Sequence, residues 1–431
     1  MTSSEQAVSG TAKTDKPRTR RPEIDFLRGS MLMLMVVYHN FRVATSADPV
    51  QMGLMSFTEL LSTVFLLVSG VNVANFVAGA ARNPDFAPTQ FYFKSAFWLF
   101  VMGYSYNLLV HTPFVMDLIQ CIAVGTFVTY VLLRFKVSNA LVGLITLAFF
   151  AAGIVAFGNS ITLSPDVKSN FLLHQLIGDG VVAKDVISAN GVVTKAGISA
   201  LVPTPYLFSL YGPIPWVGFF TLGIFLDRLR GKWVWIACTA AVALALVGAY
   251  LPTLDAAGDI NLGFRTNARY IVQSASLVTV WFFLSKVWYK EKTTCNRTVA
   301  FWSEVSLIVF VFHWIFIMLA TTVIAVGSKV TSFYFFHDGF RYTRAVLSFA
   351  ATAWAIRPIE NLRARLSRHP KFLSRMRVIM IAGFATAILF GTRPAPAAKA
   401  VAYAGCLAAA CSFALSYPAF RAKWRKEAVR K

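Results

Sequence analysis

Arg28 and His39 stand eleven positions apart in one apolar run, three turns if the run is helical. A helix then places them on one face, about 16 Å apart along its axis. Asp25 lies three positions before Arg28, close enough to pair with it. The result is a charged pair at a membrane boundary below an imidazole deeper in the apolar layer. Imidazole is the side chain that takes and returns a proton near neutral pH. The same residues admit a plainer reading, in which Arg28 snorkels to the interface and His39 bonds a neighbouring helix.

Three further residues carry the same ambiguity. Asp117 opens an apolar run, as a partner of the helix dipole or as a carboxylate that orients His39 or holds an acceptor. Gln120, one turn on, is a candidate hydrogen-bond donor to a developing oxyanion. His313 lies mid-run beside Trp314, either handling protons or bonding another helix. Ser69-Gly70 suits close helix packing better than chemistry.

The elements that must position these groups are membrane helices. Of 431 residues, 57% are hydrophobic and 14% charged, against about 45–50% and 25% in a soluble domain. Apolar runs fall at 26–45, 58–78, 91–110, 114–133, 138–158, 213–226, 233–251, 269–287, 300–326, 342–356, 377–391 and 398–418. The expected fold is all-α, a polytopic bundle of about twelve spans, ten if 213–226 and 377–391 are re-entrant. With the N-terminus cytoplasmic, 30 of the 41 Lys and Arg fall on the cytoplasmic side. That is the positive-inside pattern with both termini inside.

The net charge of +22 comes as short basic clusters between apolar runs, so no nucleic-acid partner is expected. Four of the five Cys lie inside apolar runs, and no Cys/His cluster has zinc spacing, so neither disulfides nor a metal is expected. No cleavable signal peptide is expected, because about 25 polar residues precede the first run. The reading divides the chain into a disordered cytoplasmic tail at 1–22, a membrane domain at 23–326, further membrane helices at 327–420 and a basic cytoplasmic tail at 421–431. The stretch 159–212 is a long non-cytoplasmic loop of the kind that serves function or caps a site.

The run Glu23-Ile-Asp-Phe-Leu-Arg-Gly29, the Met-rich helix after it and its His39 end resemble the transmembrane acyltransferase superfamily. The Arg28-to-His39 spacing is similar to the R-x10-H motif of acyltransferase family 3. The wording of the run is closer to the bacterial branch of the heparan-alpha-glucosaminide N-acetyltransferase-like proteins. Phe65–Val71, Met116–Ala123, Pro213–Gly223 and Trp302–His313 resemble later segments of that branch in the same order. The resemblance covers roughly residues 21–320. Two positions depart from it. Animal members carry Asn where His39 aligns and use a His in the following loop, whereas residues 41–57 here contain none. Phe310 stands where the late motif usually has Tyr.

The resemblance implies an acyltransferase of the plasma (bacterial inner) membrane. Its donor would be acetyl-CoA or another short acyl-CoA, held at the cytoplasmic face by Arg28 and Asp25 with some of Arg82, Lys94, Arg134 and Arg228. Its acceptor would be a hydroxyl or amine of a glycan or envelope glycolipid, and the protein partners are the bilayer and, if it self-associates, a homo-oligomer. His39 would act as general base or acyl carrier, with Asp117, Gln120 and His313 as its catalytic neighbours. The rival class is a multi-pass transporter or exporter of an envelope precursor, which twelve spans and buried ionisable groups also suit. Residues 1–210 and 211–431 show no mutual similarity, which argues against it.

Overall fold

The computed structural model describes residues 21–41, 49–81, 86–110, 117–158, 212–250, 268–327, 341–391 and 395–429. The N-terminal tail, Arg82 and the expected loop up to residue 211 lie outside the described residues.

Among the described residues there are fourteen helices and no strand. The first six are α1 (Pro22–Phe41), α2 (Pro49–Ser62), α3 (Val64–Ala80), α4 (Pro88–Val110), α5 (Leu118–Arg134) and α6 (Asn139–Gly158). Next come α7 (Pro213–Arg228), α8 (Lys232–Tyr250), α9 (Ala268–Trp288) and the short α10 (Arg297–Glu304). The last four are α11 (Ser306–Gly327), α12 (Arg341–Leu366), α13 (Phe372–Gly391) and α14 (Pro396–Val429). Five of them, α1, α2, α4, α7 and α14, begin at a proline. Proline suits that first position, where its fixed φ is helical and its missing N–H had no partner to lose. Gly231 turns the chain from α7 into α8 at φ +59, a left-handed conformation that favours glycine.

Among the described residues, six stretches are long and apolar enough to cross a membrane: Pro49–Ala80, Lys232–Ala249, Ala268–Trp288, Ser306–Ile324, Phe372–Gly391 and Ala397–Val429. The chain is therefore a membrane protein, with fewer qualifying spans than the ten to twelve expected. Leu118–Arg134 and Asn139–Val155 are apolar but shorter. The pattern of helices also differs locally from the apolar runs. The run at 58–78 is split at Thr63 between α2 and α3, and the run at 300–326 at Val305 between α10 and α11.

The α1 helix is the hub, packed against α2, α3, α9, α10, α11 and α12. Beside it α3 and α7 cross at backbone contact. A Cβ on Gly70 would lie 2.0 Å from the Phe220 carbonyl oxygen, and one on Gly223 would lie 2.2 Å from that of Leu67. Only glycine permits that approach, so Ser69-Gly70 serves packing, as its type suggests. Gly29 allows α10 equally close to α1, its Cβ position 2.1 Å from the Val299 carbonyl oxygen.

Polar contacts tie the helix ends together. Arg21 forks onto Asp227 at 2.8 and 3.0 Å, and Lys286 reaches the same carboxylate at 3.5 Å. Burial alone would lower the Arg21 pKa, but its bonds to Asp227 and Glu23 carry it above the usual guanidinium value. Lys94 meets Glu427 at 3.2 Å, and the Ala87 amide donates to the Ala428 carbonyl at 2.9 Å. At the opposite end, Asn40 donates to Ser348 at 2.7 Å and Arg344 donates to the Asn40 carbonyl.

Candidate active site

The packing of α1 against α11 brings His39 and His313 together. Nδ1 of His39 lies 2.8 Å from Nε2 of His313, across 274 positions of sequence. Nδ1 of His313 lies 3.0 Å from the Val309 carbonyl oxygen, one turn earlier on its own helix. A carbonyl only accepts, so this nitrogen of His313 carries a proton and donates it. In neutral His313 the lone pair then sits on Nε2 and accepts from Nδ1–H of His39. Neutral His39 is left with its own lone pair on Nε2, the tautomer a general base needs. His313 is fully buried and His39 half-buried, and the Trp314 ring lies 4.7 Å from the His39 ring.

Lower on α1, Asp25, Arg28 and Ser303 form a closed triangle. Nε of Arg28 donates to the Ser303 hydroxyl at 2.8 Å, and that hydroxyl donates to Asp25 at 2.7 Å. Arg28 lies 3.7 Å from the same carboxylate. The α10 helix brings Ser303 into place, and the glycine contact at Gly29 lets it approach.

Arg28 also lines a cleft of about 1700 Å³ bounded by residues of α1, α3, α4, α5, α10, α11, α12 and α14. That exceeds the roughly 300–1,000 Å³ of pockets for drug-sized ligands. Its wall changes character along its length. Glu304, Glu360, Arg363, Arg421, Arg425 and Lys426 supply charge at one end. Leu32, Phe65, Leu118, Ile119, Ile122 and Phe310 make the other end apolar. An amphipathic ligand with a polyanionic head and a slender apolar arm matches such a wall.

The remaining sequence candidates are placed as follows. Asp117 caps α5, accepting from the Leu118 amide at 2.7 Å, while Oε1 of Gln120 accepts from the Asp117 amide at 3.2 Å. This reciprocal pair is a capping box, which fixes where α5 begins. The Gln120 amide nitrogen is buried, against Gly103 of α4, with no hydrogen-bond partner among the described residues. Of the residues proposed to hold a donor, Arg28 alone among the described ones lines the cleft. Asp25 is buried and holds Arg28, Lys94 is occupied by Glu427, Arg134 is exposed at the end of α5, and Arg228 donates to the Val137 carbonyl at 3.0 Å.

His39 is not among the residues that line this cleft. The described wall stops at Leu32, seven positions below His39, and at Phe310, whose ring lies 6.1 Å from that of His313. Sequence reasoning missed Arg363, Arg421, Arg425 and Lys426. The signal for Arg421 and Arg425 was their spacing of four, around a Trp424 that a basic tail has no need to bury.

Comparison with known families decides the wider identity. The catalytic-domain model described as heparan-alpha-glucosaminide N-acetyltransferase matches residues 20–249, just over half of the chain. The chain belongs to this family. No curated protein and no solved structure matches it. The family match takes in Arg28, His39, Asp117 and Gln120. It ends before His313 and before every charged residue of the cleft other than Arg28. An acetyltransferase domain embedded in a membrane is thus the frame for the chemistry, and the second half of the chain completes both the histidine pair and the cleft.

Proposed function

We propose that this protein is an integral membrane acyltransferase that moves an acetyl or other short acyl group from acyl-CoA to a hydroxyl or amine. The acceptor class is a glycan or envelope glycolipid. The observation that carries the reading is the His39–His313 pair, a base whose tautomer is set by a second imidazole and a backbone carbonyl. The amphipathic cleft supports the donor assignment. Its charged end suits the phosphates of coenzyme A, and its apolar end suits the pantetheine arm with its thioester.

In the proposed reaction Nε2 of His39 takes the proton from the acceptor O–H or N–H. The acceptor oxygen or nitrogen forms its bond to the thioester carbonyl carbon, and the carbon–sulfur bond breaks. The proton on His39 then passes to the departing thiolate. His313 holds the His39 ring so that Nε2 stays the basic nitrogen throughout. The acyl group approaches past Phe310, between the end of the cleft and the pair. In this reading the chain spans the membrane about twelve times with both termini cytoplasmic, and the charged end of the cleft opens to the cytoplasm.

Purified protein in detergent tests this directly. Given acetyl-CoA and a mixture of amino and neutral sugars, wild type should release free coenzyme in step with acceptor acylation. His39→Gln keeps hydrogen bonding but is no base near neutral pH, so its turnover should fall by about 10²–10⁴-fold. Coenzyme binding in that variant should persist. Near-full transfer by His39→Gln would make the imidazole a packing residue. Stoichiometric acetyl-His39 in a quenched wild-type reaction would replace the general base with an acyl carrier.

A further inference from the structure

The charged end of the cleft is built largely by α14, a helix that lies wholly beyond the family match. This helix does not stop where the apolar run ends at residue 418. It runs on to Val429, through residues that read in sequence as a basic tail. Its inner face is anchored over its last three turns. The Tyr417 hydroxyl donates to the Ser95 carbonyl at 2.9 Å, Trp424 is buried, and the Ala428 carbonyl accepts from Ala87.

With that face fixed, Arg421 and Arg425 stand one turn apart on the side facing the cleft, and Lys426 follows. Each guanidinium lies over an aromatic ring of the cleft wall, Arg421 over Phe91 at 5.7 Å and Arg425 over Phe76 at 5.9 Å. Phe76 and Phe91 are themselves stacked, their centroids 5.0 Å apart, and both are buried. The two forks therefore rest on a rigid aromatic platform.

Basic residues after a span are ordinarily explained by membrane orientation alone. Their neighbours fit that explanation, because Lys423 and Lys94 both turn to Glu427. Across the cleft Arg363 is forked onto Glu360. For Arg421, Arg425 and Lys426 there is no carboxylate within ion-pair distance among the described residues. Three cations of one helix thus face the cleft without an ion-pair partner among the described residues.

We propose that Arg421 and Arg425, with Lys426, form the phosphate-binding subsite of the donor, gripping the 3′-phosphate and diphosphate of coenzyme A. This inference rests on the acyl-CoA reading above and assigns the grip to a helix outside the family domain. Arginine forks bind phosphate oxygens bidentately, and two forks one turn apart can engage two phosphate groups of one ligand. An anionic lipid headgroup offers the same chemistry, so the test separates the two sources.

The full chain is placed in nanodiscs of zwitterionic lipid, and binding of coenzyme A and of 3′-dephospho-coenzyme A is measured by calorimetry. The variant is Arg421→Gln with Arg425→Gln, which keeps the side-chain stems on Phe91 and Phe76 and removes the charge. Arg421→Lys with Arg425→Lys restores charge without the fork. Wild type should prefer coenzyme A to the dephospho form. The Gln pair should bind coenzyme A at least about tenfold more weakly, one charge-assisted bond's worth, and lose most of that preference. The Lys pair should recover part of both. Unchanged affinity and preference in a Gln pair that elutes and melts as wild type would overturn the assignment. So would a Gln pair with normal coenzyme binding that has lost only stabilisation by phosphatidylglycerol, since the arginines would then be lipid contacts. Wild type that binds neither coenzyme would instead sink the acyl-CoA reading beneath it.

Discussion

His39 owes its proposed role to one bond from each direction along its pair. The Val309 carbonyl fixes the proton on His313, and His313 fixes the proton on His39. A general base needs its free lone pair on the nitrogen that faces the acceptor, and the bond to His313 fixes which nitrogen of His39 that is. His313→Gln should slow transfer about tenfold to a hundredfold while leaving donor affinity near wild type. Transfer rates and coenzyme affinities measured for both proteins check this, and near-full transfer by the variant would make His313 merely structural. Both histidines were legible in the sequence as polar groups in apolar runs, and the turn-by-turn spacing already placed Arg28 below His39. Their bond was not legible, because no local periodicity links residues 274 positions apart. Arg421 and Arg425 were hidden by a different cause. Basic residues that follow a span satisfy the charge rule, and that satisfied rule masks a second use.

Helix ends carry much of the site's geometry. Asp117 and Gln120 read in sequence as an N-terminal dipole partner or as catalytic groups, and the structure gives them a capping box at the start of α5. Removing such a cap costs about 0.5–2 kcal/mol. Asp117→Ala should therefore lower the melting temperature in detergent and leave most of the transfer rate per folded molecule. A loss of 10²-fold or more with melting unchanged would return Asp117 to the chemistry. The positions of apolar runs gave the helices well, down to prolines that open five of them. They did not give the breaks at Thr63 and Val305, where hydropathy continues while the helical run is interrupted for one residue. They also put a tail where α14 continues, because Trp424 and Ala428 are buried against neighbours remote in sequence.

For the whole molecule, the proposed orientation puts the Arg21–Asp227–Lys286 cluster, the α9–α10 connection and the charged end of the cleft on the cytoplasmic side. Cys295 lies in that connection. In intact cells an impermeant maleimide should leave Cys295 unmodified and should reach a cysteine introduced by Asn190→Cys. Labelling of Cys295 from outside would reverse the orientation. The same sidedness makes the central claim testable in one assay, the release of free coenzyme from acetyl-CoA added outside sealed vesicles. Vesicles turned inside out expose the charged end of the cleft to the added donor, and right-side-out vesicles hide it. The account predicts release from inside-out vesicles carrying wild type, with little from right-side-out vesicles and little from inside-out vesicles carrying His39→Gln. Equal release by wild type and His39→Gln, or none from wild type in either orientation with acceptor present, would contradict it.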